Sequence, residues 1–366
     1  MPSGSAAPTA SGHSTGRPPA SSPSTAAAKT APGTEPSQAS ESCKREFCLD
    51  PNALAGPGIR RLAHGTLAFQ DLQADGRLVV WSALDTDAGR HVGVFVANAE
   101  TGTLTEVGGN ETDFQVTGFL VHDPLAVMVR EDLGPGGRFH LRVYNSTTGK
   151  AADVATVARA PRLLGFDGTW ILFDVPVTPG TNETYSLAAW NIKDGRQADA
   201  LAGQHGILVD FTRLFDGVAI GLRANGTQPP VLLGTDLATG TTAEFGPLRH
   251  EIDWWTVTRD GVIVLGADHR VWLEQDPAAD LGRPGWKAVG MAVGPGHVVV
   301  AYQGAGADKG TAWLDDIDPD THDTTTMLSD ADVEQFAVLN RAVVYTASLP
   351  TDGRYDLFSE RWDGVA

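Results

Sequence analysis

The sequence repeats one kind of turn seven times at a nearly constant interval. Each occurrence is a tight reversal between two apolar, β-rich runs, and successive reversals lie 48, 44, 49, 44, 35 and 45 residues apart. The reversals fall at Asp75-Gly76, Asp123-Pro124, Asp167-Gly168, Asp216-Gly217, Asp260-Gly261, Pro295-Gly296 and Asn340-Arg341. A repeat of this length indicates an architecture of stacked units, because one unit alone cannot bury its own faces.

The first repeat divides into four short runs with the composition of β-strands. They read TLAFQDLQ, RLVVWSAL, HVGVFVAN and TLTEVG, and Gly, Asp or Asn separates them. Asp-Gly between such runs favours a hairpin, because both central positions of a type I′ turn need a positive φ. Four antiparallel strands per repeat, repeated seven times, predict an all-β, seven-bladed β-propeller of four-stranded antiparallel blades.

The two ends of the chain predict how the ring closes. The last repeat stops after its third strand, whereas a spare run, GIRRLA at residues 58–63, precedes the first strand of repeat one. We expect residues 58–63 to pair with the last blade near Leu357 and so remove an exposed sheet edge. The propeller then spans residues 43–366. Residues 1–42, which are mostly Ser, Thr, Ala, Pro and Gly, are expected to form a disordered tail or stalk.

A second turn follows each reversal and carries a shared Asn or Asp. Asn98, Asn145, Asn191 and Asp236 each lie four residues before the glycine that ends this turn. A side-chain oxygen at this position bonds readily to the backbone entering a turn. We therefore interpret the four residues as turn architecture. The fifth repeat has no clean second turn, since QDPAADLGRPGW replaces it.

The stretch ADGRLVVWSA, followed by GRHVGVFVANAETGTLTEV, resembles the repeats of TolB-like propellers, also called PD40 or WD40-like repeats. The resemblance covers the chain after Cys48. It implies a scaffold and often a protein partner, with no catalytic residue to carry over. A looser likeness to quinoprotein-type repeats lacks the Trp that those repeats place after each Thr-Gly turn.

Three features predict an extracellular or cell-surface protein. Cys43 and Cys48 are spaced to close a small disulfide loop, although two buried thiols or half of a metal site are alternatives. Four of the eight asparagines begin glycosylation sequons, namely Asn110, Asn145, Asn182 and Asn225. The third feature is the tail. The N-terminus carries no signal-peptide pattern, so we expect that a signal peptide or anchor was removed or precedes this sequence.

The charge of the chain argues against two classes of partner. The net charge is −18, and such an acidic surface repels nucleic acid and anionic lipid. No run of 18 apolar residues is present, so we expect no membrane-spanning segment.

Two groups of residues are candidate sites. Trp254, Trp255 and Trp286 fall in or near the irregular fifth repeat and form a candidate binding patch, although filling the space left by the missing turn is an alternative. We expect no cofactor other than calcium. Its candidate ligands, which could equally form a solvated acidic turn, are Asp315, Asp316, Asp318, Asp320 and Asp323.

The sequence favours a non-catalytic scaffold of the cell envelope that binds a protein or a glycan. It has no G-x-S-x-G element and no sialidase-type Asp box. The alternative is a secreted propeller enzyme, a glycan hydrolase or lyase, that uses carboxylates in the central funnel. Such an enzyme needs two acids in contrasting environments at one pocket.

Overall fold

The computed structural model describes residues 42–44, 47–50, 52, 59–109, 114–176, 185–202, 204–259, 261–283, 285–294, 296–303, 311–318, 321–340, 342–347 and 354–361. Apart from Ser42, the predicted tail at residues 1–42 lies outside this range. Among the described residues no helix is long and apolar enough to cross a membrane.

The chain forms thirty β-strands within the described residues, and they assemble into seven antiparallel sheets around a ring. Three strands precede the first blade: β1 (Ser42–Lys44), β2 (Phe47–Leu49) and β3 (Arg60–Gly65). Blade 1 contains β4 (Ala68–Asp75), β5 (Leu78–Asp85), β6 (Arg90–Asn98) and β7 (Thr103–Gly109). Blade 2 contains β8 (Phe114–His122), β9 (Leu125–Asp132), β10 (Phe139–Asn145) and β11 (Lys150–Val157). Blade 3 contains β12 (Arg162–Phe166), β13 (Trp170–Pro176), β14 (Tyr185–Asn191) and β15 (Gln197–Asp199).

The later blades follow the same order. Blade 4 contains β16 (Ile207–Phe215), β17 (Val218–Asn225), β18 (Gln228–Asp236) and β19 (Thr242–Pro247). Blade 5 contains β20 (Ile252–Val257), β21 (Val262–Gly266), β22 (Val271–Leu273) and β23 (Asp276–Asp280). Blade 6 contains β24 (Lys287–Gly294), β25 (His297–Gln303), β26 (Thr311–Ile317) and β27 (Thr324–Asp332). Blade 7 contains β28 (Gln335–Leu339), β29 (Ala342–Thr346) and β30 (Tyr355–Arg361), followed by β3. The predicted seven-bladed propeller is therefore confirmed.

Seven apolar clusters hold the ring together, one between each pair of neighbouring blades. Strand β9 shows how one strand serves two clusters. Met128 packs toward blade 1, whereas its neighbours Val127 and Val129 pack toward blade 3. Successive side chains of a strand point to opposite faces, so the second strand of a blade is apolar along its length and buried on both faces. Each blade is stable only between its neighbours.

The N-terminal strands complete the last blade. Strand β3 pairs antiparallel with β30, and Ala63 lies opposite Leu357. The sequence predicts four strands in this blade, but the structure has six, because the hairpin of β1 and β2 extends the sheet beyond β3. A disulfide joins Cys43 and Cys48, which are cross-strand partners in that hairpin.

The two kinds of repeated turn have separate structural roles. In the second turn, the predicted side-chain bonds are confirmed: Oδ1 of Asn98 accepts the backbone N–H groups of the residues two and three positions later, each at 3.0 Å. Asn145, Asn191 and Asp236 make the same pair of bonds. In the first turn, Asp75 and Asp167 accept a backbone N–H from the next blade, at 2.8 and 2.7 Å. The first turns therefore link neighbouring blades.

Candidate functional site

The ring has two rims, which differ in the loops that reach them. The loop rim carries the loops between second and third strands and the connections between blades, where Gly109, Phe114, Asp132 and Phe139 lie. The turn rim carries the two repeated turns.

A cavity of about 390 Å³ lies at the loop rim between blades 1 and 2. We call it the blade 1–2 cavity. Its apolar wall contains Val107, Phe114, Val116 and Met128. Gly108 lies against this wall, and a Cβ on it would lie 2.5 Å from Cγ2 of Val116. A side chain at this position would therefore displace the wall.

Glu106, Arg130 and Arg142 supply the charged groups of the cavity. A carboxylate orients each guanidinium: Nη2 of Arg130 donates to Asp132 at 3.1 Å, and Nη1 of Arg142 donates to Asp153 at 2.9 Å. Nη1 of Arg130 also lies 3.8 Å from Asp153. Planar guanidinium groups held in this way present their remaining N–H donors in fixed directions.

The carboxyl group of Asp132 is held in its ionised form. Nε2 of His140 lies 2.9 Å from Oδ2 of Asp132, and Arg130 bonds to the other oxygen. These two partners, the histidine bond first, lower the pKa of Asp132 below its ordinary value. A carboxyl group with a lowered pKa is a poor proton donor at neutral pH.

One donor of the cavity has no protein partner. Nε of Arg130 is buried and has no hydrogen-bond acceptor among the described residues. The guanidinium lies over the ring of Phe114, with 4.7 Å between its central carbon and the ring centroid. This N–H is closed to solvent, so it costs free energy without being presented to a ligand.

Arginine side chains lie beside two tryptophans of the predicted binding patch, Arg213 beside Trp254 and Arg283 beside Trp286. Trp255 is fully buried, and its Nε1 donates to the carbonyl of Phe211 at 3.1 Å. Trp255 is therefore not available at the surface. Trp254 is half-buried, and the guanidinium of Arg213 lies 5.7 Å from its ring centroid. Half-buried Trp286 packs against Trp313, with ring centroids 5.1 Å apart.

The aspartates of the predicted calcium site are drawn to different partners. Asp315 is fully buried and accepts two hydrogen bonds from Arg283, at 2.8 and 2.9 Å. Asp316 lies 2.8 Å from Nδ1 of His297. Asp318 caps the turn that ends before Asp323, and Asp320 lies outside the described residues. No group of three Asp, Glu, His or Cys side chains in the described part of the chain could hold a metal ion.

Two of the four predicted sequons can be placed. Asn145 lies in the second turn of blade 2 on the turn rim, and Asn225 is exposed at the end of β17 on the loop rim. Asn110 and Asn182 lie outside the described residues.

Two carboxylates from neighbouring blades meet at the loop rim. Arg162 donates to Asp174 of blade 3 at 2.6 Å and also bonds to Asp210 of blade 4. Only 1% of the Asp174 side chain is exposed. The two carboxylates are therefore bridged by a cation.

The blade 1–2 cavity was not predicted from the sequence. Its walls come from β7, β8, β9 and β10, and no short motif contains them together. The signal in the sequence was the presence of two basic residues, Arg130 and Arg142, in successive strands.

Comparison with known proteins supports the fold. No family pattern and no curated protein sequence matches the chain. Among solved structures, the β-propeller domain of the Trilobed protease from Pyrococcus furiosus is similar with a TM-score of 0.58 and 11% identity, covering 82% of this chain and 96% of that one. Pyrococcus horikoshii acylaminoacyl peptidase is similar with a TM-score of 0.58 and 9% identity, covering 81% of this chain and 51% of the peptidase. An uncharacterised protein of Listeria monocytogenes has a TM-score of 0.52 and 11% identity, covering 77% of this chain and 90% of that one.

At these identities the likeness concerns architecture alone. The chain has the seven-bladed propeller fold found in peptidase propeller domains.

Proposed function

We propose that the chain is a TolB-like, non-catalytic propeller of the cell surface or extracellular space that binds an envelope protein or glycan through the blade 1–2 cavity. The observation that carries this proposal is the combination of an apolar wall with two arginines, Arg130 and Arg142, whose guanidinium groups are each oriented by a carboxylate. Binding pockets typically combine an apolar lining with a few converging polar groups.

The charged groups around the cavity support binding over catalysis. A glycan hydrolase needs a carboxylic acid whose pKa is raised so that it can protonate a leaving group. The pKa of Asp132 is instead lowered by His140 and Arg130. The groups next to the cavity are thus arranged to hold the arginines in place.

The enzyme alternative is supported by one observation, the meeting of Asp174 and Asp210 at Arg162. Both carboxylates bond to the same guanidinium, which links them, although Oδ1 of Asp174 is buried and has no hydrogen-bond partner among the described residues. This arrangement favours an inter-blade link over an acid and base pair.

Export is supported by the Cys43–Cys48 disulfide, because such bonds persist in oxidising compartments. The sequons at Asn145 and Asn225 begin at the ends of strands β10 and β17, where Asn225 is exposed and Asn145 is half-buried.

The test is a pull-down from native envelope extract with the wild-type chain, Arg142→Glu and Arg223→Glu. Arg223 is a matched control because it also pairs with a carboxylate, Glu244 at 2.7 Å, but lies in blade 4. We expect the wild type and Arg223→Glu to retain the same partner and Arg142→Glu to lose it.

Equal retention by all three proteins would show that the cavity is not the binding site. Release of sugar fragments from envelope polysaccharide by the wild type, abolished by Asp174→Asn, would instead establish the enzyme alternative.

A further inference from the structure

We propose that the blade 1–2 cavity recognises the carboxyl terminus of a polypeptide whose last side chain is apolar. This inference rests on the proposed binding function and names the chemistry of the partner. It follows from the donors, the apolar wall and the size of the cavity.

The arginines offer more donors than the protein uses. Each guanidinium has five N–H groups. Among the described residues Arg142 bonds to Asp153 through Nη1, and 28% of its side chain is exposed, so its other N–H groups are available to a ligand. Asp132 and Asp153 bond to the arginines but do not line the cavity. The donors that remain therefore suit an acceptor arriving from outside, and a planar carboxylate matches guanidinium geometry.

The charges around the cavity make hydrogen-bond geometry the basis of recognition. Arg130 and Arg142 contribute two positive charges to the lining, and Glu106 contributes one negative charge. Asp132 and Asp153 pair with the arginines from outside the lining, so the cavity has no excess of positive charge. A carboxylate is therefore held here by the directional N–H donors of the guanidinium groups.

The apolar wall selects what the carboxylate is attached to. Met128 is fully buried in the cluster between blades 1 and 2, and Val107 and Val116 pack against that cluster. A wall fixed by core packing presents a rigid surface to an aliphatic or aromatic side chain. An acidic sugar shares the carboxylate, but its hydroxyl groups would lose water against Phe114 and Val116 without gaining partners.

The size of the cavity limits the ligand to a short end of a chain. A volume of about 390 Å³ lies near the lower end of the range for ligand pockets. It accommodates one or two residues, and a chain terminus is the only part of a polypeptide that carries a backbone carboxylate.

Methionine methyl groups provide a direct readout. The sequence has four methionines, Met1, Met128, Met291 and Met327, and Met128 lines the cavity. The chain, labelled with ¹³C at the methionine methyl groups, is titrated with acetyl-Gly-Gly-Leu, with the same peptide as its C-terminal amide, and with glucuronic acid.

We expect the free acid to shift the Met128 signal saturably and to leave Met291 and Met327 unchanged. The amide should bind roughly tenfold or more weakly, because a charge-assisted hydrogen bond is lost. Arg130→Gln and Arg142→Lys should weaken binding of the acid, and Arg223→Gln should not. Arg142→Lys keeps the charge but loses the planar fork, so it tests the inference even if Arg130→Gln folds poorly.

Equal binding of acid and amide would overturn the inference, and tighter binding of glucuronic acid would replace it with an acidic glycan. If no probe moves the Met128 signal although Arg142→Glu still loses the envelope partner, the terminus inference fails and the binding function stands. If no probe binds and Arg142→Glu keeps the partner, both fail.

Discussion

Phe47→Ala should destabilise the propeller more than any change to the disulfide beside it. Phe47 lies in β2, outside the four-stranded core of blade 7, and is fully buried. Its ring centroid lies 4.9, 5.6 and 4.8 Å from those of Phe69, Trp81 and Phe95, all in blade 1. One side chain of the N-terminal hairpin thus joins the last blade to the first.

The size of the effect follows from burial. Removing a fully buried phenylalanine costs about 3–5 kcal/mol through lost transfer free energy and the cavity left behind. Three aromatic contacts place Phe47 toward the upper part of that range. Replacing Cys43 and Cys48 by serine should cost only about 2 kcal/mol, because the disulfide closes a short loop and loop-closure entropy grows with loop length.

The assay is urea denaturation followed by tryptophan fluorescence, which gives the free energy of unfolding from the midpoint and slope. Phe245→Ala is the matched control, since 63% of Phe245 is exposed, and a surface change of this kind should stay within about 0.5 kcal/mol. The reasoning fails if Phe47→Ala and Phe245→Ala unfold at the same midpoint. It also fails if the serine double variant loses more stability than Phe47→Ala.

Three further predictions concern single side chains. Arg283→Met leaves Asp315, whose side chain is fully buried, without its cation. This change should lower the free energy of unfolding by about 3–5 kcal/mol. A loss under about 1 kcal/mol in urea denaturation would contradict this expectation. Burial raises the pKa of Asp75 above its ordinary 3.8. The carboxyl group of Asp75 therefore holds its proton more tightly in the folded state than in the unfolded state. The free energy of unfolding then falls as the pH rises above 3.8. Asp75→Asn should remove that component, and identical slopes of unfolding free energy against pH for variant and wild type would refute the assignment. Asn191→Ala removes an acceptor of two backbone N–H groups, at 2.9 and 3.3 Å, and should cost about 1–2 kcal/mol in thermal or urea unfolding, whereas an unchanged midpoint would show that the turn forms without it.

Much of the fold could be predicted because its signals are local. Turn residues at a fixed interval and short β-rich runs between them are properties of neighbouring residues, and they gave the number of blades and the roles of Asn98, Asn145, Asn191 and Asp236. The hairpin of β1 and β2 was missed because each of its strands has three residues, too few for a pattern. Its place depends on Phe47 packing into blade 1.

The candidate sites were harder to predict because burial and partners depend on the whole ring. Trp254 and Trp255 are adjacent in sequence, yet only Trp255 is fully buried, since neighbouring side chains on a strand face different clusters. The acidic run that contains Asp315 and Asp316 looks uniform, but the structure pairs these residues with Arg283 and His297, which come from elsewhere in the chain.

The sequence by itself determined the repeat, the strands, the turns and the closing element, because backbone preferences and apolar periodicity act over a few residues. Only the tertiary structure decided where a ligand can bind. The blade 1–2 cavity joins Phe114, Arg130 and Arg142 from three strands with Glu106 from the preceding blade. These side chains are far apart in the sequence. They line one cavity only because the apolar clusters between blades hold the strands at fixed distances.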